Sequence, residues 1–368
     1  MKQAVVVLGS LDRASHKWIT LLSIGRKLAR IKECAFHDEP PADPWADREK
    51  YYYVPAETLS RDQHPDEAAA WTVDDLFGGV VAYEFMSTKL ITHPLIAPDA
   101  TAPRGWSSAF PRQVRNVVLP GFSVFSAEDL IAAGDRLLPN GPIRVKDPYA
   151  EGGDGQWVLK SANELRRLCE IMPPEILTHG LVAEEDLAKT RTYSVGQLCV
   201  DGTELSYFGE QRLTTDNNGR KTYGGTKFRA VPGDWGLLSD QIDDPNARHV
   251  IAAARHYDAC ANRTLGMMAS RKNYDVITGT DARGEVKTAV LEQSWRAGGA
   301  TPGEVLALEA FKQEPSLVAV DAASYEVFGK ASVDDRSAFV CFAGDDPREG
   351  PMTKYAKLEA IYHADQQS

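Results

Sequence analysis

Two acids near the C-terminal third of the chain, Asp275 and Glu292, stand in apolar, strand-like runs on either side of the polar turn DARGE. That turn lies midway between them, so in a simple hairpin their side chains face one another, give or take a residue. Opposed like charges repel. A sequence that keeps such a pair has a cation between the two or a carboxyl with a displaced pKa. Alternation puts Ser294 and Arg296 on the same face as Glu292, so oxygen ligands and a fixed cation point the same way. Mg2+ takes carboxylate, hydroxyl and water oxygens and usually keeps a substrate's phosphate oxygens in its shell. The plainer reading is two surface acids on an edge hairpin.

Two earlier segments carry matching chemistry. In RVKDPYAEGGDGQWVLK, Lys146 follows Ile143 and Val145 in a strand, where an ammonium needs a partner. The run Gly152, Gly153, Asp154 and Gly155 supplies backbone N–H groups able to approach a polyphosphate closely. It is neither GxxxxGK[ST] nor GxGxxG; its plain alternative is a hairpin turn beside a surface lysine. In LVAEEDL an apolar strand ends in Glu184, Glu185, Asp186 and Leu187, where backbone could read an adenine edge and a carboxylate the ribose hydroxyls. The plain alternative there is a solvated acidic loop.

In this order the segments resemble the ATP-grasp superfamily: a lysine strand, a glycine-rich flap, a Glu-x-x-Leu hinge, and an acid followed by a Glu-x-Asn-x-Arg metal strand. The resemblance covers roughly residues 106 to 300, and LEQSWRAGGAT resembles an uncharacterised bacterial ATP-grasp-like family. It implies Lys146 as the phosphate lysine, Gly152 to Gly155 as the flap and Glu184 to Leu187 as the adenine hinge. Asp275 and Glu292 become the metal carboxylates, with Ser294 in the asparagine place, and Arg296 faces the transferred phosphoryl group. The superfamily also carries an earlier lysine, for which the segment from Gly105 to Ser126 offers Arg112 or Arg115. The implied activity is an ATP- and Mg2+-dependent ligase that activates a carboxylate as an acyl phosphate for attack by an amine, releasing ADP. A small-molecule kinase on the same scaffold and a non-catalytic ATP-binding protein are the alternatives, the second motivated by Ser294.

The elements that must position these groups read as α/β and α+β. A smaller Rossmann-like domain (1–105) precedes two ATP-grasp subdomains, 106–187 with the lysine strand and flap, and 188–368 with the metal hairpin and a C-terminal extension. AVVVLGS is a buried strand followed by a helix through Trp18, Leu21, Ile24 and Leu28, and DDLFGGVVAYEF starts a second α/β unit. Ser126 and Ser161 are N-caps, the latter with Glu164 as a capping box. Thr214 to Lys227 reads as a mobile lid, with Arg212 and Lys227 as carboxylate contacts. The tail after Pro315 reads as strands and a final helix.

At 368 residues with a net charge of −11 and pI near 5.3, the chain lacks the basic footprint of a nucleic-acid or anionic-membrane binder. The resemblance implies small-molecule carboxylate and amine substrates as partners, with a homodimer as the common default. Five scattered cysteines form no CxxC pair, and no signal peptide or membrane span is evident, so a cytoplasmic location is expected.

Overall fold

A computed structural model describes residues 2–41, 48–63, 71–150 and 155–364. The N-terminal apolar run is β1 (Ala4–Leu8), buried at every position. Parallel neighbours flank it, β2 (Ala35–His37) and β3 (Tyr51–Pro55). Helix α1 (His16–Ile31) connects β1 to β2, with the Ser15 hydroxyl accepting from Trp18 N, and buries Trp18, Leu21, Ile24 and Leu28. The expected second α/β unit is reduced to the short parallel pair β4 (Leu59–Ser60) and β5 (Gly79–Val81). In place of a helix, the chain then makes 3-10 turns at Glu84–Ser87 and Lys89–Thr92.

The next layer runs α2 (Ala109–Val114), β6 (Gly121–Val124), α3 (Ala127–Leu137), β7 (Ile143–Lys146), β8 (Gln156–Leu159), α4 (Ala162–Ile171), α5 (Pro174–His179) and β9 (Leu181–Glu185). Its strands form a four-stranded antiparallel sheet in the order β6-β9-β7-β8. Ser126 and Ser161 cap α3 and α4 as expected, accepting from Asp129 N and Glu164 N. The Glu164 carboxylate returns to Lys160 N at 2.6 Å, one residue before the capping-box position. Leu130, Ala133, Leu165 and Leu168 from the helices close over Ile143, Val145, Leu181 and Ala183. Alternation therefore turns Arg144, Lys146, Glu184 and Asp186 to the opposite face, away from this core.

The remainder is an eight-stranded antiparallel sheet. It begins with β10 (Ala188–Val200), β11 (Thr203–Thr215) and β12 (Lys221–Pro232), followed by α6 (Trp235–Asp240) and α7 (Pro245–Thr264). A short β13 (Met268–Ala269) pairs back to β5; then come β14 (Arg271–Thr280), β15 (Val286–Ser294), α8 (Thr301–Gln313), β16 (Leu317–Phe328), β17 (Phe339–Asp346) and β18 (Gly350–His363). The strand order is β15-β14-β10-β11-β12-β16-β18-β17. Tyr257, Ile251 and Ala254 of α7 pack on one face with Tyr274, Val276 and Val290. On the other face α8 and α1 share a core with Tyr207, Phe228 and Val320. Helix α1 is also tied to the late strands: His16 N donates to Asp346 Oδ2 at 2.6 Å and Ser23 Oγ to Cys341 O at 3.0 Å.

Two expectations are corrected. Thr214 to Lys227 is no open lid but the end of the β11–β12 hairpin, with Thr214 paired to Thr222 and Thr215 to Lys221. Its polar DNNGR run is a tight turn in which Asp216 Oδ1 accepts from Asn218 N and Arg220 N, so the polarity marks local turn chemistry. Arg212 lies over the Tyr325 ring and Lys227 lies 4.0 Å from Glu359, alternating with Gln211 and Thr226 and so facing away from Asp275. The expected final helix is β18, which pairs with both β16 and β17; its aromatic and β-branched residues suit a pleated sheet.

Candidate active site

The acids expected to oppose each other do so. Asp275 on β14 and Glu292 on β15 are Cα partners, and the ladder shifts register immediately inside them, where Val276 pairs with Val290 and Leu291 is the extra residue of a β-bulge. Without that insertion Asp275 would face Leu291. Burial and the nearby Glu292 push Asp275 up to about 6, against the hydrogen bonds of Gln211 and Asn273 and the charge of Arg271. Burial also works to raise Glu292, but Lys89, then Lys146 and Arg296, hold it below the ordinary carboxylate range.

Lys89, in the 3-10 turn after β5, reaches Glu292 Oε2 at 2.7 Å. Burial works to lower its pKa; Glu292, then Glu184 and Asp275, carry it above the usual lysine value. The turn is stitched to β15, since Gln293 Nε2 donates to Thr88 O at 2.7 Å and to Met86 O at 3.2 Å. Sequence reasoning missed this residue and looked for an earlier cation at Arg112 or Arg115. Arg112 is exposed and donates to its own helix at Ser108 O, and Arg115 is exposed as well. The available signal was a lysine inside the apolar run KLIT, the same kind of placement that drew attention to Lys146.

Lys146 ends β7 and pairs with Glu184 on the adjacent β9, both buried. His93 Nε2 meets the other Glu184 oxygen at 2.9 Å. Burial works to raise Glu184, but Lys146 and then His93 bring it down to about 2. The expected hinge is thus divided. Glu184 belongs to the lysine cluster. Asp186 accepts from Arg144 at 2.7 Å, and Leu187 is buried beside Leu119 and Ala289. Glu185 turns to the other side, where burial and Asp281 raise its pKa and one oxygen has no hydrogen-bond partner among the described residues. The backbone N–H groups of Glu185 and Asp186 donate to Pro120 O and Pro142 O, so neither is open to a ligand. Of the flap, Gly152, Gly153 and Asp154 lie outside the described residues. Gly155 closes its base at φ +61°, accepting from Asp147 N at 2.8 Å; a Cβ there would meet Ala150 Cβ at 2.5 Å.

Behind the paired acids is a buried polar unit. Arg271 is bidentate to Glu304 at 2.6 and 3.0 Å, and the Tyr207 hydroxyl contacts both Glu304 Oε1 and Asn273 Oδ1, the latter at 2.8 Å. Arg271 Nη1 also donates to the Ser294 hydroxyl at 3.3 Å. Arg296 leaves the end of β15 and pairs at 2.9 Å with Glu57, just past β3. No group of three or more His, Cys, Asp or Glu forms a metal cage among the described residues. A divalent cation on Asp275 and Glu292 would complete its shell with amide, hydroxyl, water and phosphate oxygens, a donor set that fits Mg2+.

The family profile described as "Protein of unknown function (DUF3182)" matches residues 6–356. The chain belongs to that family. No curated protein matches the DUF3182 chain by sequence. Among solved structures it is similar to N5-carboxyaminoimidazole synthetase from Staphylococcus aureus complexed with ADP, with a TM-score of 0.57 and 14% identity over 97% of this chain and 94% of that one. It is also similar to the biotin carboxylase domain of Hydrogenobacter thermophilus 2-oxoglutarate carboxylase with MgADP (0.56, 10%, covering 99% and 86%). A third match is phosphoribosylamine–glycine ligase from Thermotoga maritima (0.52, 12%, 98% of each chain). These likenesses establish that the DUF3182 chain has the ATP-grasp fold expected from its sequence. Among the described residues no helix is long and apolar enough to cross a membrane.

Proposed function

We propose that this protein is an ATP- and Mg2+-dependent ligase that activates a carboxylate as an acyl phosphate and passes the acyl group to an amine. The observation that carries the reading is that the opposed acids Asp275 and Glu292 stand beside two buried lysines, Lys89 paired with Glu292 itself and Lys146, paired with Glu184, near enough to lower the pKa of Glu292. A polyphosphate with a divalent counter-cation is a ligand whose charges match two lysines beside two opposed carboxylates. The similar structures solved with ADP or MgADP bound support a nucleotide there.

Lys146 and Lys89 neutralise phosphate oxygens, and Asp275 and Glu292 would hold Mg2+, which would supply charge to offset what develops on the phosphoryl group. Lys89 exchanges Glu292 for phosphate as nucleotide enters. Arg296 then stabilises the phosphoryl group as the acceptor carboxylate attacks the γ-phosphorus and ADP leaves. The amine attacks the acyl carbon, phosphate departs and the amine gives up its proton. Catalysis is positioning and charge, so no side-chain nucleophile is needed. The acceptor site lies where Arg296 meets Glu57, past the carboxyl end of β3, the usual place for a ligand crevice beside a parallel sheet.

A Mg2+-dependent screen of amino acids, small peptides and carboxylic acids, reading ADP and inorganic phosphate together, tests this. The ligase releases both, and Glu292→Gln abolishes both. ADP without phosphate would make it a kinase. No ADP with any acceptor would sink the catalytic reading.

A further inference from the structure

The metal strand carries Ser294 where the superfamily pattern has asparagine, and the structure shows where an amide has gone. Asn273 on β14 is the Cα partner of Ser294, on the same face as Asp275 and directly across the hairpin. Resting on the Mg2+–nucleotide reading above, we propose that Asn273 supplies the metal site with the amide oxygen that position 294 lacks.

The argument is a count of protons. The Tyr207 hydroxyl has one proton and two oxygen neighbours, Asn273 Oδ1 at 2.8 Å and the nearer Glu304 Oε1. Glu304 is fully buried and paired bidentately with Arg271, and it is the nearer of the two oxygens, so the short contact takes the proton. Without metal, Asn273 Nδ2 donates to Asp275 Oδ1; when a cation takes that carboxylate, the amide turns its NH2 to the Tyr207 oxygen instead, since amide oxygen and nitrogen have the same shape and the hydrogen-bond network decides between them. Turning it aims Oδ1 at Asp275 Oδ1, across the 2.8 Å that separates the amide terminus from that carboxylate. Two acceptors then face each other, and a divalent cation bridging them satisfies both. Ser294 is poorly placed for that task, because its hydroxyl already receives the Arg271 guanidinium, whose charge opposes a second cation beside it. The chain Arg271–Glu304–Tyr207–Asn273 thus orients the amide as a second shell orients a ligand.

Mn2+, standing in for Mg2+, can be titrated by electron paramagnetic resonance in the presence of ADP. Asn273→Ala is expected to weaken Mn2+ binding about 10-fold, and adding Ser294→Asn to that variant to recover most of the loss. Equal Mn2+ affinity in Asn273→Ala and the parent chain, with a matching thermal melt, overturns the proposal. A parent chain that binds no Mn2+ with ADP fails the nucleotide reading instead, a separate result. If Asn273→Ala does not fold, a crystal structure of the parent chain with Mg2+ and ADP decides. Asn273 Oδ1 is expected about 2.1 Å from the metal, and an amide oxygen outside the inner shell overturns the assignment.

Discussion

Two carboxylates in this protein have opposite fates. Glu184, on the four-stranded sheet, has a lysine on one oxygen and a histidine on the other, and it is held at about 2. Asp275, on the eight-stranded sheet, has a glutamate for a cross-strand neighbour and is driven to about 6. The first has each oxygen answered, one by Lys146 and the other by His93. The second keeps a raised pKa although Gln211, Asn273 and Arg271 act against it, and the proposed cation would relieve it. Burial alone does not mark function; the balance of neighbours does.

Removing the completed unit should have the largest effect. Glu184→Ala strands Lys146 and His93 in the interior and is expected to cost about 3–5 kcal/mol by denaturant unfolding. Because the folded-state pKa of Glu184 is depressed, its contribution is present above pH 4.5 and disappears as pH falls toward 2. A cost near zero would erase the contrast between the two acids.

The incomplete site should behave in the opposite sense. Asp275 has a raised folded-state pKa, so metal-free stability declines as pH rises from about 4 through about 6. Asp275→Asn should therefore stabilise the metal-free protein by about 1–3 kcal/mol at pH 7.5, with no gain at pH 4. Destabilisation at pH 7.5 would show that Asp275 is already compensated. Protons and metal compete for the same carboxylate, so Mg2+-dependent ADP affinity should drop about tenfold between pH 7 and pH 5. A flat calorimetric profile would place the metal elsewhere. The smallest effect is expected for Glu292→Gln without metal, below about 1 kcal/mol: Lys89 loses a partner while Asp275 loses a repulsion.

The hairpin was legible because strand alternation and turn chemistry are local, and they brought Asp275 opposite Glu292 with an uncertainty of one residue. That residue is the bulge at Leu291, which the ladder reveals and composition does not. Lys146 was legible for the same reason. Lys89 was not, because its position depends on Gln293, two hundred residues later, holding the backbone of Met86 and Thr88. The polar run near Asn217 misled, because one Asx turn and one loop look alike until the flanking strands are paired. β18 was read as a helix because the open edge of β16 that receives it is a tertiary feature.

Helix α1 bonds to Cys341 and Asp346, so part of its packing surface is encoded more than three hundred codons downstream of the helix itself. At roughly 5–20 residues per second of synthesis, the helix waits on the order of 15–60 s on the ribosome for those contacts to emerge. Until those strands emerge, the part of α1 that meets them stays uncovered, and losing the last two strands would leave it so for good.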